Sequence, residues 1–254
     1  MIDLTGRVAL VTGSSRGIGR ACALRLAEAG ADVIINYVTS RSAAEEVAKD
    51  VLALGRRTAV VKADVSEQDD IVSMVDFVKD TFGTLDILIS NAATGGFRPL
   101  LGTTARQFEA AMNTNVRALM FLVQASLPLL ERSDGRAKVI AISSHGSYLA
   151  LPMYGLIGGT KAALESLIRH FALEVGRRGV NLNVVQAGLV ETDSVRHIPN
   201  REQLFARWRE ENLVDDRLLE LRDVADAVLF LASPLSDMVQ GQTVLVDGGV
   251  SIHI

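Results

Sequence analysis

Apolar positions along the chain fall into two alternating patterns. Short, nearly continuous apolar runs occur at "RVALVTG", "ADVIINY", "TAVVKADV", "LDILISNAA", "AKVIAISS", "VNLNVVQAG" and "QTVLVDGG". Between them lie longer stretches in which apolar residues recur every three or four positions. Runs of the first kind predict strands buried on both faces, as in a parallel sheet covered by helices. Stretches of the second kind predict amphipathic helices. One follows the first run and carries Ala21, Leu24 and Leu26; others are "SAAEEVAKDVLAL" and "QDDIVSMVDFVKDTF". A long helix is expected over about 106–130, another around 160–175, and a last one at "RDVADAVLFLAS". Strand and helix alternate with hardly a break, which predicts an α/β fold: a doubly wound parallel sheet, Rossmann-like.

No Pro/Ser linker, repeat or low-complexity segment interrupts this rhythm, so a single domain over 1–254 is expected. The exception to the rhythm is 194–219, a polar stretch holding Trp208 between the sixth strand and the next helix. An insertion at that end of a sheet is a candidate substrate lid.

Composition narrows the function. Hydrophobic residues make up 48% of the 254, enough for a sizeable core. The net charge is −4 with no Lys/Arg block, which argues against nucleic acid as a partner. The one cysteine, Cys22, sits in an apolar-faced helix pattern and reads as a core residue. The start of the chain has no charged-then-apolar signal pattern. "ALMFLVQASLPLL" is broken by Gln124, Ser126 and Pro128, and a bilayer span needs about 20 apolar residues. A soluble, cytoplasmic protein with no membrane partner is expected.

The first chemical motif is "TGSSRGIG" at 12–19, between a predicted strand and a predicted helix. Gly13 permits a tight turn, Gly17 lets backbone approach a pyrophosphate, and Gly19 allows close helix packing. The amides opening the helix attract phosphate, so Ser15, Arg16, Gly17 and Ile18 are candidate cofactor contacts. An acid at the end of the second strand would select NAD through the ribose 2′-hydroxyl. Here Asn36 and Tyr37 stand there, with Ser40 and Arg41 following. Arg16 and Arg41 suit a 2′-phosphate, which favours NADP(H).

Taken together, these residues resemble the short-chain dehydrogenase/reductase family. The resemblance spans essentially the whole chain. It rests on "TGSSRGIG", on Asp64 and Val65 after the third strand, and on "SNAA" after the fourth. It rests further on Asn115 in the long helix, Ser144 after the fifth strand, Lys161, "AG" followed by "LVET", and "VDGG". It implies that Asp64 and Val65 contact the adenine and that Asn91, Ala92 and Ala93 line the cofactor. Gly188, Leu189, Val190 and Thr192 would hold the nicotinamide end.

Most of that family places Tyr four residues before Lys, where this chain has Ile157. Tyr154 stands seven before Lys161 instead. At about 100° per residue, a helical spacing of seven still leaves the two side chains about 20° apart. At about 1.5 Å per residue, the Tyr moves about 4.5 Å further along the axis. That shift suits a conjugate reductase, whose charge develops on an oxygen several bonds from the carbon receiving hydride. Tyr-x6-Lys is also the pattern of the type III, NADPH-dependent enoyl-acyl-carrier-protein reductases, which this chain resembles through "PMYGLIGGTK", "VETDSVRHIPNREQLF" and "DMVQGQTVLVDGG". The resemblance implies NADPH-dependent reduction of an enoyl thioester, with an acyl carrier protein as a candidate carrier, in fatty-acid elongation by a homotetramer.

Tyr154 is then the donor, Lys161 the ribose-binding residue, and Ser144 and Asn115 the supporting pair. A free Tyr titrates near 10, and an ammonium reaching towards Tyr154 would lower that value. Asn115 fits a bound water, a helix kink or a satisfied buried amide. Ser143 fits a simple strand-end cap, His145 could face the pocket, and Tyr148 could assist or pack. In the lid, Leu204, Phe205, Trp208 and Leu213 form an apolar face for an acyl chain or for the domain itself. Arg201, Arg207 and Arg209 could meet an acidic carrier, though interleaved Glu202, Glu210 and Glu211 favour a solvated helix. Two other functions stay open: a ketoreductase or alcohol dehydrogenase for a small or secondary metabolite, and a non-catalytic NADP sensor.

Overall fold

The computed structural model describes residues 2–195, 200–214 and 216–253. Seven strands form one parallel sheet: β1 (Val8–Val11), β2 (Asp32–Tyr37), β3 (Thr58–Lys62), β4 (Ile87–Ser90), β5 (Ala137–Ser144), β6 (Val180–Ala187) and β7 (Thr243–Val246). Their order is β3-β2-β1-β4-β5-β6-β7. The order reverses between β1 and β4, where Val11 lies opposite both Ile35 and Ile89. Open α/β sheets bind ligands beyond the strand ends at such a reversal.

Alternation along each strand sends side chains to two separate cores. Ala9 and Val11 join one core with α1 (Gly17–Glu28), α2 (Arg41–Ala53) and α8 (Leu221–Ala232). Val8 and Leu10 join the other with α3 (Gln68–Phe82), α5 (Ala118–Leu130) and α6 (Gly155–Val175). Both faces are covered, which is why the strands read as continuous apolar runs. Cys22 is buried in the first core, where burial pushes its thiol up to about 12, so it is no nucleophile.

Two helices differ from their expected form. The stretch expected as one long helix is α4 (Ala105–Met112), a single π turn at Asn113–Arg117, and α5. The π turn coincides with Asn115, and such turns are frequent at functional sites. The α6 helix begins at Gly155, five residues before the expected start near 160. Gly155, Gly158 and Gly159 are poor helix formers, at about 1 kcal/mol each relative to Ala. Packing overrides that preference, because Gly158 lies directly against the backbone of Gly146.

The turn after β1 is tied to β2 and β3 by Asn36. Its side-chain oxygen accepts from the Gly13 amide at 3.0 Å, and its side-chain nitrogen donates to the carbonyls of Ala63 at 3.0 Å and Val61 at 3.4 Å. Ser14 completes the lock, its hydroxyl accepting from the Asn36 amide at 3.1 Å. Asn36 therefore holds the turn and is fully occupied, leaving Tyr37 as the residue in the acid's place. Asn36→Ala should cost about 1–3 kcal/mol for each buried partner left unpaired. A lower midpoint in urea unfolding at unchanged slope is the expected result.

Candidate active site

The turn after β1 has the backbone the sequence requires, with Gly13 at φ +62° and Gly17 at φ +57°. Asn91 pins it from β4: its side-chain nitrogen donates to the carbonyls of Thr12 at 2.9 Å and Gly13 at 3.2 Å. The Thr12 hydroxyl accepts from the amides of Asn91 and Ala92. Gly19 packs so closely that a Cβ there would lie 2.5 Å from the Asn91 side-chain nitrogen. Beyond this turn, α1 opens on Arg16 with no side-chain cap and no acid in its first turn. Its leading amides are thus available to a pyrophosphate, and the residues present fit a dinucleotide.

The same holds one strand further out. Ser40 precedes α2 without a capping hydrogen bond, and α2 has no acid in its first turn. Tyr37 is buried. Arg16 pairs with Asp193 at 3.4 Å and Arg41 with Glu45 at 2.8 Å, all exposed. Exposed pairs contribute about 0–1 kcal/mol, so either guanidinium can exchange its carboxylate for a phosphate. Across the cleft, Thr192 is the nearest residue to the open side of Gly17, and Val190 is buried and bridged to Leu219. Gly188 lies against Asp247 and His145 so tightly that a Cβ would meet both near 3.1 Å. Leu189 beside it is half-buried, as are Ser15 and Ile18 in the facing turn. Ala93 at the end of β4 is exposed. Two expected contacts are constrained. Val65 is buried in the core, so only its backbone is free to meet an adenine. The Asp64 carboxylate accepts from the amide and hydroxyl of Ser66 at 2.9 and 2.8 Å.

Tyr154 lies just outside α6, at φ −105° and ψ −2°. The helical spacing used to relate it to Lys161 therefore applies only from Gly155 onward. Its direction is set instead by the preceding turn, where the Tyr154 amide donates to the Leu151 carbonyl at 3.2 Å and Met153 takes the left-handed φ of +60°. The ring is seated on Gly146. A Cβ at that position would lie 2.2 Å from Tyr154 Cδ1, and one at Gly158 would lie 2.2 Å from the Gly146 carbonyl oxygen. Phe97 packs on the ring from the loop after β4, with centroids 5.6 Å apart. Ile157, in the position usual for the tyrosine, packs against Gly95 instead.

Burial raises the Tyr154 pKa above its ordinary value, and a hydrogen bond with Ser144 opposes that rise. Lys161 is not among the groups that shift Tyr154 here. The Lys161 ammonium donates to the Ile142 carbonyl at 2.7 Å, inside the end of β5. Burial pulls Lys161 down to about 8, opposed by the carboxylate of Glu165 one turn along α6. Glu165 is held in turn by Ser143, whose hydroxyl donates to it, and by Gln186 at 3.0 Å. Ser143 is therefore part of a polar network and not a strand cap.

Asn115 resolves as a buried, satisfied amide within the π turn. It accepts from the Thr94 amide at 2.8 Å, and donates to the Thr94 carbonyl at 2.8 Å and to the Thr160 hydroxyl at 2.9 Å. It thus ties the loop after β4 to α6. His145 is buried, stacked on Trp208 at 4.9 Å and with Nε2 3.2 Å from Asp247 without hydrogen-bond alignment. Burial lowers its pKa and the Asp247 charge opposes that.

Residues 196–199 and 215 of the expected lid lie outside the described residues. Within it, α7 (Arg201–Glu210) turns Phe205 and Trp208 into its own domain, Leu204 is half-buried and Leu213 is exposed. Arg201 pairs with Glu191, and Arg207 with Glu211. Tyr148 is exposed and lines a cavity of about 440 Å³ together with Tyr154, Met153 and Arg98. Phe97, Gly146, Glu165 and Arg98 were not singled out by sequence; a glycine two residues after the strand-end Ser144 was the one available signal, for Gly146.

A doubly wound sheet, an uncapped glycine turn at its reversal, and a Tyr, Ser and Lys gathered at the end of β5 define a dinucleotide-dependent oxidoreductase. A family model described as enoyl-(acyl carrier protein) reductase matches residues 13–251. A 1-cyclohexenylcarbonyl-CoA reductase of Streptomyces collinus is 33% identical, covering 97% of this chain and 87% of that protein. A hydroxynaphthalene reductase-like protein, Arp2, of Metarhizium robertsii is 34% identical, covering 97% and 96%. A short-chain dehydrogenase of Burkholderia cenocepacia, solved in complex with NADP, has 32% identity and a TM-score of 0.88, covering 98% and 99%. The chain belongs to the short-chain dehydrogenase/reductase family. No helix among the described residues is long and apolar enough to cross a membrane, and none of their His, Cys, Asp and Glu residues cluster as a metal site.

The contact between Gly146 and the Tyr154 ring generates a prediction. Gly146→Ala should displace the phenol and lower turnover by about 10²-fold or more, given how steeply rate falls with misplacement of a reacting group. Circular dichroism should show the fold retained. Unchanged turnover would mean that the position of the ring is immaterial.

Proposed function

We propose that the protein uses NADPH to reduce the carbon–carbon double bond of an enoyl thioester. The observation that carries this reading is the seat of Tyr154. The phenol in the pocket comes from the residue before α6, while the usual position four before Lys161 is an isoleucine packed on Gly95. A donor set back from that position suits an oxygen several bonds from the carbon that is reduced. The Streptomyces collinus relative, whose named substrate is an α,β-unsaturated CoA thioester, supports the same chemistry. NADP(H) as cofactor is supported by the uncharged Tyr37 in the acid's place, by Arg16 and Arg41, and by the NADP bound in the Burkholderia structure.

The glycine turn at 12–19, with Arg16 and Arg41 nearby, would hold NADPH, which would supply a hydride to the β-carbon of the substrate. Negative charge then collects on the thioester oxygen as an enolate. Tyr154 begins as a neutral phenol, kept so by burial, and donates a hydrogen bond or its proton to that oxygen. The hydrogen bond with Ser144 favours the ionised form and so eases loss of the phenol proton. One hydride at the β-carbon and one proton from solvent at the α-carbon would give the saturated thioester, and a proton lent by Tyr154 to the oxygen would return to the phenoxide as the enol collapses. Lys161, charged below about 8, would hold the nicotinamide ribose. Asn115 keeps the loop after β4 in register with α6. Fatty-acid elongation, an acyl-carrier-protein substrate and a homotetramer accompany this reading. Carbonyl reduction is the second reading; the Ser144–Tyr154 pair favours it, since a hydroxyl beside the phenol suits a ketone oxygen.

The test compares NADPH oxidation with crotonyl and acetoacetyl thioesters, for wild type and Tyr154→Phe. Oxidation with the enoyl substrate alone, reduced about 10²–10⁴-fold in the variant, is expected. Oxidation with the keto substrate alone overturns the enoyl reading in favour of the second. A pH dependence follows from Lys161. Its pKa in the free protein is lowered to about 8, so the ammonium is present below that value and lost above it. The kcat/KM for NADPH should therefore fall as pH rises through about 8. Lys161→Met should remove that limb of the profile.

A further inference from the structure

The cavity that holds Tyr154 contains a cation that the mechanism above does not use. Among the described residues Arg98 is the only charged one lining it; the others include Tyr148, Leu149, Leu151 and Met153. None of the residues expected to hold the cofactor lines it, so this is the substrate's side of the tyrosine. Arg98 is fixed in place by its backbone. Its amide donates at 2.7 Å to the carbonyl of Met153, the left-handed residue just before Tyr154. Its side chain lies over Gly96, where a Cβ would come within 2.6 Å of a terminal guanidinium nitrogen.

This guanidinium is half-buried, and its Nε is buried without a hydrogen-bond partner. No carboxylate pairs with it among the described residues, although most other arginines near the site have one. Arginine stays protonated at any working pH and has five donors arranged to match an oxyanion. A buried donor left unpaired is costly. The missing acceptor is therefore expected from the ligand.

We propose that Arg98 binds an oxyanion carried by the substrate, and that this oxyanion is a carboxylate on the acyl portion. Two sources share the chemistry: a carboxylate on the acyl chain, and the phosphate of a pantetheine arm. The cavity's volume of about 440 Å³, shared by Arg98 and Tyr154, favours the nearer source. A pantetheine phosphate stands many bonds beyond the thioester, whereas a carboxylate two or three carbons from the double bond fits within one small cavity. The natural substrate would then be the monothioester of an unsaturated dicarboxylic acid. This assignment rests on the reading of Tyr154 as the reacting group in that cavity.

The test uses three enoyl thioesters: neutral crotonyl-N-acetylcysteamine, the N-acetylcysteamine monothioester of glutaconic acid, and crotonyl-pantetheine 4′-phosphate. Wild type, Arg98→Gln and Arg98→Lys are compared; all three retain the backbone bond to Met153. Wild type should show a KM for the glutaconyl substrate about tenfold or more below that for the crotonyl one. Arg98→Gln should abolish that difference, and Arg98→Lys should retain part of it. Selectivity for the phosphate arm alone would overturn the carboxylate in favour of the carrier arm. Equal loss on all three substrates, or no charge selectivity in wild type, overturns the subsite.

Calorimetric titration of glutarate into the NADP⁺-bound protein provides a readout without turnover. Binding seen in wild type and lost in Arg98→Gln supports the subsite even if no enoyl thioester is reduced, in which case only the enoyl reading fails. Matched thermal unfolding of the variants excludes a folding defect as the cause.

Discussion

The site depends on one backbone contact, the meeting of Gly146 and Gly158. These residues come from the end of β5 and the first turn of α6, and a side chain on either would strike the other segment or the Tyr154 ring. The contact has two effects. It lets α6 start early, through a glycine-rich stretch that would not be helical by propensity. It also leaves a flat surface on which the ring lies, bounded by Phe97 on another side. Position is thus set by absence of side chains on one face and by an aromatic contact on another. A phenol held this way loses little on approaching a transition state, since it has few alternative orientations.

Electrostatics at the end of β5 follow from the same crowding. Burial raises Tyr154 and lowers Lys161, so both groups are pushed towards neutrality. The protein counters this separately for each. Ser144 eases the rise of the phenol, and Glu165 supports the ammonium. Because the carboxylate is itself held by Ser143 and Gln186, it cannot swing away. The two reacting-site groups are therefore tuned by different neighbours and do not share one charge.

Much of this was legible in the sequence, for identifiable reasons. Parallel strands covered on both faces must be apolar throughout, so "VALV" and "DVIINY" could hardly be read otherwise. The glycine turn is legible because positive φ at Gly13 and Gly17 leaves few residue choices. What escaped involves contacts distant in sequence. Asn115 looked ambiguous because its partners, Thr94 and Thr160, lie 21 and 45 residues away. Arg98 carries no local pattern at all; its meaning comes from a cavity closed by the segment around Met153. The helical argument for Tyr154 rested on periodicity, which stops at the helix end. The tyrosine sits one residue beyond it, where Met153 directs the chain.

Moving the tyrosine also changes what the pocket can select. With Ile157 in the usual place, an apolar side chain packed on Gly95 fills the space nearest the loop after β4. The phenol retreats to the other end of that first turn, next to the segment bonded to Arg98. The loop from Gly95 to Arg98 is thereby coupled to the tyrosine at three points, through Ile157 packing on Gly95, the Phe97 ring against Tyr154 and the Arg98–Met153 hydrogen bond. A substrate that reaches Tyr154 meets a cation on the same wall. If Tyr154 is the acid and Arg98 binds the substrate as proposed above, one piece of structure sets both the position of the acid and the choice of substrate charge.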